Sequence, residues 1–177
     1  MSSDLVPLPP KVTIGRRAAA FCIDGIAVWL PSLLLGANPI VQIIFFIILW
    51  LIMRVAIVRK NQGQSLGRWA VDIKISDPRL QRTPGLQELC KREVLLGACA
   101  ALAFAGLGGL TSTNAAVLLL LLPLAIDCSV AFTDTDRFPQ AFHDRLAGTI
   151  VIGTRRGYSL DIKVRRLLDQ VQSNVRR

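Results

Sequence analysis

Four long apolar blocks set the terms for the rest of this chain. They run from about residue 18 to 36, 39 to 58, 94 to 110 and 115 to 132. At about 1.5 Å per residue each makes a helix about 26–30 Å long, the thickness of a bilayer's hydrocarbon core. The fold that accommodates them is an all-α membrane protein with four transmembrane helices in two antiparallel hairpins. With 177 residues, 52% of them hydrophobic and only 6% aromatic, the chain has room for one such domain and lacks the composition of an ordinary soluble core. The first block contains Asp24 and Pro31 and outruns the apolar stretch of a signal peptide, so it reads as a retained helix.

Charge placement then orients the helices. The basic residues lie before the first block (Lys11, Arg16, Arg17), between the second and third (Arg59 to Arg92) and after the fourth (Arg137 to Arg177), with Arg54 alone inside a block. The two other connections, "GANP" and "TSTN", carry no charge. Loops rich in Lys and Arg stay in the cytoplasm, so both termini and the central loop belong on that side. The expected location is a membrane that the chain crosses several times. The net charge of +9 is this topology signal together with attraction to anionic lipid headgroups at the cytoplasmic face. It is not a nucleic-acid patch, for no aromatic-interleaved basic strand or zinc-knuckle spacing accompanies it.

Catalytic and metal chemistry find little footing. Cys22, Cys99 and Cys128 fall inside apolar blocks, no CxxC pair occurs, and His143 is the one histidine. Structural zinc is therefore not expected, nor any other metal or cofactor. With no nucleophile–base constellation and no phosphate-cradling loop, an enzyme is not expected either.

Local signals divide the chain into a flexible, proline-rich leader (1–14), a transmembrane domain (15–154) and a basic cytoplasmic tail (155–177). Helices are expected at about 16–36, 39–58, 93–110 and 115–132, the first bent near Pro31. Asn38 can cap the second helix and Pro39 can occupy its first turn. In the third, Gly97, Ala101, Ala105 and Gly109 recur every four residues, a small-residue ladder for close helix packing, within the bundle or against a partner. In "GRWAVDIKIS", Trp69, Val71, Ile73 and Ile75 alternate with more polar residues, which predicts a half-buried strand. "GTIVIGT" at 148–154 is a second β-prone run on the same side, so a small cytoplasmic β-element is expected. "LQELCKRE" reads as an interfacial helix feeding the third span. In the tail, Val164, Leu167, Leu168 and Val171 mark a basic amphipathic helix.

Charges inside the apolar blocks are the candidate functional residues. Asp24 lies about 10 Å deep, Asp127 about 7 Å and Arg54 about 6 Å, with Arg17 and Glu93 at the boundary. Bare charges in hydrocarbon cost several kcal/mol, so these side chains should face one another across the bundle, Asp24 against Arg54 or Arg17. Such a layer either fixes helix register or binds a cation or proton; a lipid-headgroup or partner contact is the remaining reading.

"RRAAAFCID", "GQSLGRWAVDIKISD", "KRE" and "FHDRLAGTIVI" together resemble, in order and spacing, the RDD family of small bacterial membrane proteins. The resemblance covers roughly residues 11 to 154 and identifies Arg17 and Asp24 as the first two signature positions. The second signature aspartate is most simply Asp144 of the His143-Asp144-Arg145 motif, with Asp127 as a rival. The resemblance implies transport of a ligand, in some relatives cation/proton antiport; four short helices leave little room for a path in one copy, so a homo-oligomer or larger complex is expected. The alternative is a non-transporting accessory or assembly subunit that binds a larger membrane protein complex.

Overall fold

A computed structural model describes residues 10–35, 38–111, 113–134 and 138–154. Four long helices carry the fold. Helix α1 is Ile14–Leu33. Helix α2 runs through Pro39–Leu51, a π-helical stretch Ile52–Ile57, and Val58–Lys60. A short α3 (Leu66–Ala70) and strand β1 (Ile73–Ser76) precede α4, Leu86–Gly108. Helix α5 opens as a 3₁₀ stretch, Ala115–Leu121, and continues as Leu122–Thr133. The short α6 (Phe142–Ala147) and strand β2 (Ile150–Gly153) follow.

The turn into α2 forms as its sequence demands. Asn38 accepts hydrogen bonds from the backbone N–H groups of Ile40 and Val41, and Pro39 fills the first helical position, where no N–H is needed. Helices α2 and α5 are long and apolar enough to cross a membrane, and most of their surface is not covered by the rest of the chain. Ile40, Ile44, Ile48 and Ile52 form an exposed apolar row along α2. Helix α1 carries Arg16, Arg17 and Asp24, and α4 carries Lys91, Arg92 and Glu93; these charges lower both below the apolarity of the other two.

The core lies where α1, α2 and α4 meet. Val28, Phe46, Trp50, Leu96, Ala100 and Ala101 are buried together there, with Phe46 stacked on Trp50 at 5.6 Å between ring centroids. The small-residue ladder of α4 is used partly inside the chain: a Cβ on Gly97 would stand 2.7 Å from the Trp50 ring, and Ala101 is buried in this core. Ala105 is half-buried and Gly109 exposed, so the far end of the ladder opens outward.

The expected strand over 69–76 forms only in its second half. Leu66–Ala70 is helical because Ser65 caps it, accepting from Arg68 N–H, and because Gly67 must lie against α1. Trp69, assigned to the buried face by the alternation, is on the exposed side of that helix. Asp72, at φ +59°, turns the chain into β1. Strand β1 pairs antiparallel with β2, Ile73 opposite Gly153 and Ser76 opposite Ile150. Gly63 makes the reversal after α2 at φ +90°, and a Cβ there would meet Ile75 O at 2.4 Å. The leader is anchored at its end, for Val12 is buried against Val71, Ile73 and Val151, and Gly153 N–H donates to Pro10 O. The amphipathic helix expected around Val164–Val171 lies outside the described residues.

Candidate functional site

Below the apolar core the long helices and the two-stranded sheet enclose a cluster of charges. Its scaffold begins with the π-helical stretch of α2. The wider turn buries Met53, Arg54 and Val55 in succession, more than one side of a regular helix presents, and turns Arg54 inward. The Arg54 guanidinium carbon lies 4.6 Å from the centroid of the buried Trp50 ring, a cation–π contact that stabilises charge away from water.

From Arg54 the charges alternate in sign. Arg54 Nη1 donates to Asp24 Oδ2 at 2.7 Å and its Nε to Glu93 Oε2 at 2.8 Å. Glu93 Oε1 accepts from Arg68 Nη2 at 2.7 Å and from Arg92 Nη1 at 2.5 Å. Arg92 Nε continues to Asp144 Oδ1 at 2.8 Å, and Arg17 closes the chain by donating to Asp144 and to Pro139 O. Asp24, Glu93 and Asp144 are fully buried. Each is held by charge-assisted hydrogen bonds, the arrangement that makes buried carboxylates tolerable.

Asp24 therefore pairs with Arg54 rather than with Arg17. Its remaining bonds come from α3: Ser65 Oγ donates to Asp24 Oδ2 at 2.6 Å and Gly67 N–H to Oδ1 at 2.7 Å. The second bond dictates residue 67, because a Cβ there would lie 2.1 Å from Ala20 O on α1. Gly67→Ala is expected to push α3 off α1 and stretch the bond to Asp24, at a cost of about 1–3 kcal/mol. Denaturant unfolding in detergent measures it, and a variant as stable as the wild type would contradict this account.

Asp144 occupies the third position of α6, where its carboxylate also accepts from Ala141 N–H at 3.3 Å. Burial alone would raise its pKa, but the adjoining Arg92 and Arg17 hold it well below the usual carboxylate range. The neighbouring His143 binds Asp127 twice: its backbone N–H donates to Oδ1 at 2.9 Å, and Nδ1 lies 2.5 Å from Oδ2. With Nδ1 carrying the proton, Nε2 is free to accept from Arg92 Nη2 at 3.3 Å, which ties Asp127 to the cluster at second hand. Arg145, the third residue of the motif, is not drawn in; it is half-exposed and pairs with Asp134 at 3.0 Å.

Two of the cluster's cations, Arg68 and Arg92, were not among the candidates, since both lie in the basic central segment and read as topology charges. Their neighbours held the available clues: Arg92 precedes Glu93 in "KRE", and Arg68 lies three residues after Ser65 in "GQSLGRW". Arg68 is 2% exposed. Burial first, then the Arg54 guanidinium, brings its pKa down to about 9, so it remains charged at neutral pH while poorly compensated.

A cavity of about 190 Å³ lies against this cluster, between α1 and α5. Arg17, Arg54, Arg68, Arg92 and His143 contribute to its wall, together with apolar side chains such as Phe21, Leu96 and Leu124. None of the four cluster carboxylates is part of that wall.

Apolar helices around a buried charge network define a helical, membrane-associated domain. A family model described as the RDD family matches residues 11–148, and the chain belongs to that family. No curated protein and no solved structure matches it.

Proposed function

We propose that this chain is a four-span, multi-pass component of small-ligand transport in a bacterial inner or other internal membrane, with both termini and the 59–93 segment cytoplasmic. Four crossings are supported by helix length: α1 and α4, of 20 and 23 residues, match the about 20 needed for a bilayer, and both pack on α2. The orientation rests on the basic residues of the central segment and both ends.

The observation that carries the transport reading is the cavity between α1 and α5 at the level of the charge cluster. Its chemistry shifts the roles of the candidate residues. Asp24 has both oxygens engaged by Arg54, Ser65 and Gly67, and it does not line the cavity. It is scaffold, not a metal-cation ligand. The cavity-lining group able to exchange a proton is His143, whose Nδ1 is backed by Asp127 and whose Nε2 takes a proton only when its contact with Arg92 is given up.

Protein in liposomes should dissipate an imposed proton gradient faster than protein-free vesicles, and His143→Gln should abolish the excess. Topology is checked in a cysteine-free background, where an impermeant thiol reagent on intact cells should label Thr113→Cys and spare Gln81→Cys, both exposed positions. Reversed labelling would invert the orientation. Absent flux together with stable co-purification of a larger complex would replace transport by the accessory role. Ala101→Leu does not probe such a partner, because Ala101 is buried within the chain's own core.

A further inference from the structure

We infer that the cavity between α1 and α5 is a binding site for an anionic amphiphile, a phosphate or carboxylate oxyanion held at Arg68 with its hydrocarbon chain leaving into the bilayer. The inference names the ligand class for the transport reading above and rests on its membrane placement.

Charge is the first argument. Along the alternating chain, Arg17, Arg54 and Arg92 are matched by Asp24, Glu93 and Asp144. Arg68 has no carboxylate to itself, for it shares Glu93 Oε1 with Arg92. Its Nη2 is committed there, whereas its Nη1 is buried and has no hydrogen-bond partner among the described residues. A buried guanidinium N–H without an acceptor is costly, since its hydration is lost with nothing in return. Arg68 lines the cavity, and an oxyanion there supplies the missing acceptor through a charge-assisted hydrogen bond. The cavity wall excludes the opposite ligand, since it is formed by arginines and apolar groups while the carboxylates lie behind them.

Shape is the second argument. Helix α1 packs on α2 and α3, α5 packs on α4 and α6, and the cavity separates α1 from α5. Four of its lining residues, Ala18 and Cys22 on α1 and Cys128 and Phe132 on α5, are exposed and mark a mouth on the side of the bundle. A volume of about 190 Å³ falls short of the about 300–1,000 Å³ of pockets that enclose a whole drug-sized molecule. It suits a headgroup with its first carbons, the rest of the tail lying outside among lipids. Asp127 and His143 on α5 and α6, Glu93 on α4 and Asp24 on α1 are the other titratable groups around Arg68, and each is already paired.

The two exposed cysteines at the mouth report occupancy. Wild-type protein is placed in nanodiscs of phosphatidylcholine alone, of phosphatidylcholine with phosphatidylglycerol, and of phosphatidylcholine with added inorganic phosphate. Alkylation of Cys22 and Cys128 by a membrane-soluble maleimide is followed by mass spectrometry. Phosphatidylglycerol should slow both reactions by about tenfold, the protection that corresponds to nine-tenths occupancy, and inorganic phosphate should not. Arg68→Gln should erase the difference between lipids. Should that variant fail to fold, Ala18→Trp, an exposed change at the mouth, should erase it in a folded protein. Equal rates in the two lipid mixtures would overturn the proposal, as would protection that survives both variants. Equal protection by inorganic phosphate would overturn the amphiphile in favour of a free oxyanion. Protection without proton flux in the liposome assay upholds this site and sinks the transport reading alone.

Discussion

Glu93→Gln is expected to destabilise the protein by about 3–5 kcal/mol. Among the described residues Glu93 is the one carboxylate that touches three guanidiniums, those of Arg54, Arg68 and Arg92, and it is fully buried. Glutamine keeps the size and offers a carbonyl acceptor, but it leaves three cations in a region with one negative charge fewer. It also sets an amide donor where an acceptor is required. Thermal or denaturant unfolding in detergent is the measurement. Adding Arg68→Gln to the variant should recover part of the loss, because the cation with the fewest other partners is removed along with its counter-charge. A loss below about 1 kcal/mol would show that the network is worth no more than a surface ion pair.

How much of this cluster could be foreseen depends on which residues carry their own contrast. Asp24 and Arg54 stand out because each interrupts an apolar block, and their pairing follows from the cost of an isolated charge in hydrocarbon. Arg68 and Arg92 carry the same charge as the many basic residues expected at the membrane surface, so nothing local separates them from those. What places them inside is tertiary: the close approach of Gly67 to Ala20 brings α3 under α1, and Arg68 with it. The shortened β1 has a related cause. Alternation through Trp69 and Val71 is a real pattern, yet the Ser65 cap and the bond from Gly67 to Asp24 outweigh it and wind the segment into a helical turn. The π-helical stretch of α2 had no signal in the sequence, since its sequence, IMRVAI, is ordinary for a helix. Its wider turn carries Arg54, which bonds both Asp24 and Glu93.

These placements bear on what the buried charges do. A row of matched charges between helices specifies their register, because sliding one helix by a turn would strand several ions at once. Such a row also fixes the arginines that form the cavity wall, so the carboxylates shape the site without touching its contents. Their removal should alter ligand binding only through structure, whereas Arg68 should alter it directly.

The partition of pairs gives the second large effect. Asp24→Asn and Arg54→Gln should each cost about 3–5 kcal/mol alone, and the double variant should be more stable than their sum predicts by about 1–3 kcal/mol. Asp24→Asn combined with Arg17→Gln should be additive, for Arg17 bonds to Asp144 and Pro139. The mirror cycle of Arg17→Gln with Asp144→Asn should show coupling. The Asp144 pair adds a pH signature whose sign is fixed by the direction of its shift. Its folded-state pKa is depressed, so the stabilisation is fully present above the unfolded carboxylate value of about 3.9 and is lost as pH falls below it. Wild-type stability should accordingly drop below about pH 4, and Asp144→Asn should show a shallower drop over the same interval. Coupling between Asp24 and Arg17 as large as that between Asp24 and Arg54 would overturn the arrangement, since one guanidinium cannot serve both ends of the alternating chain.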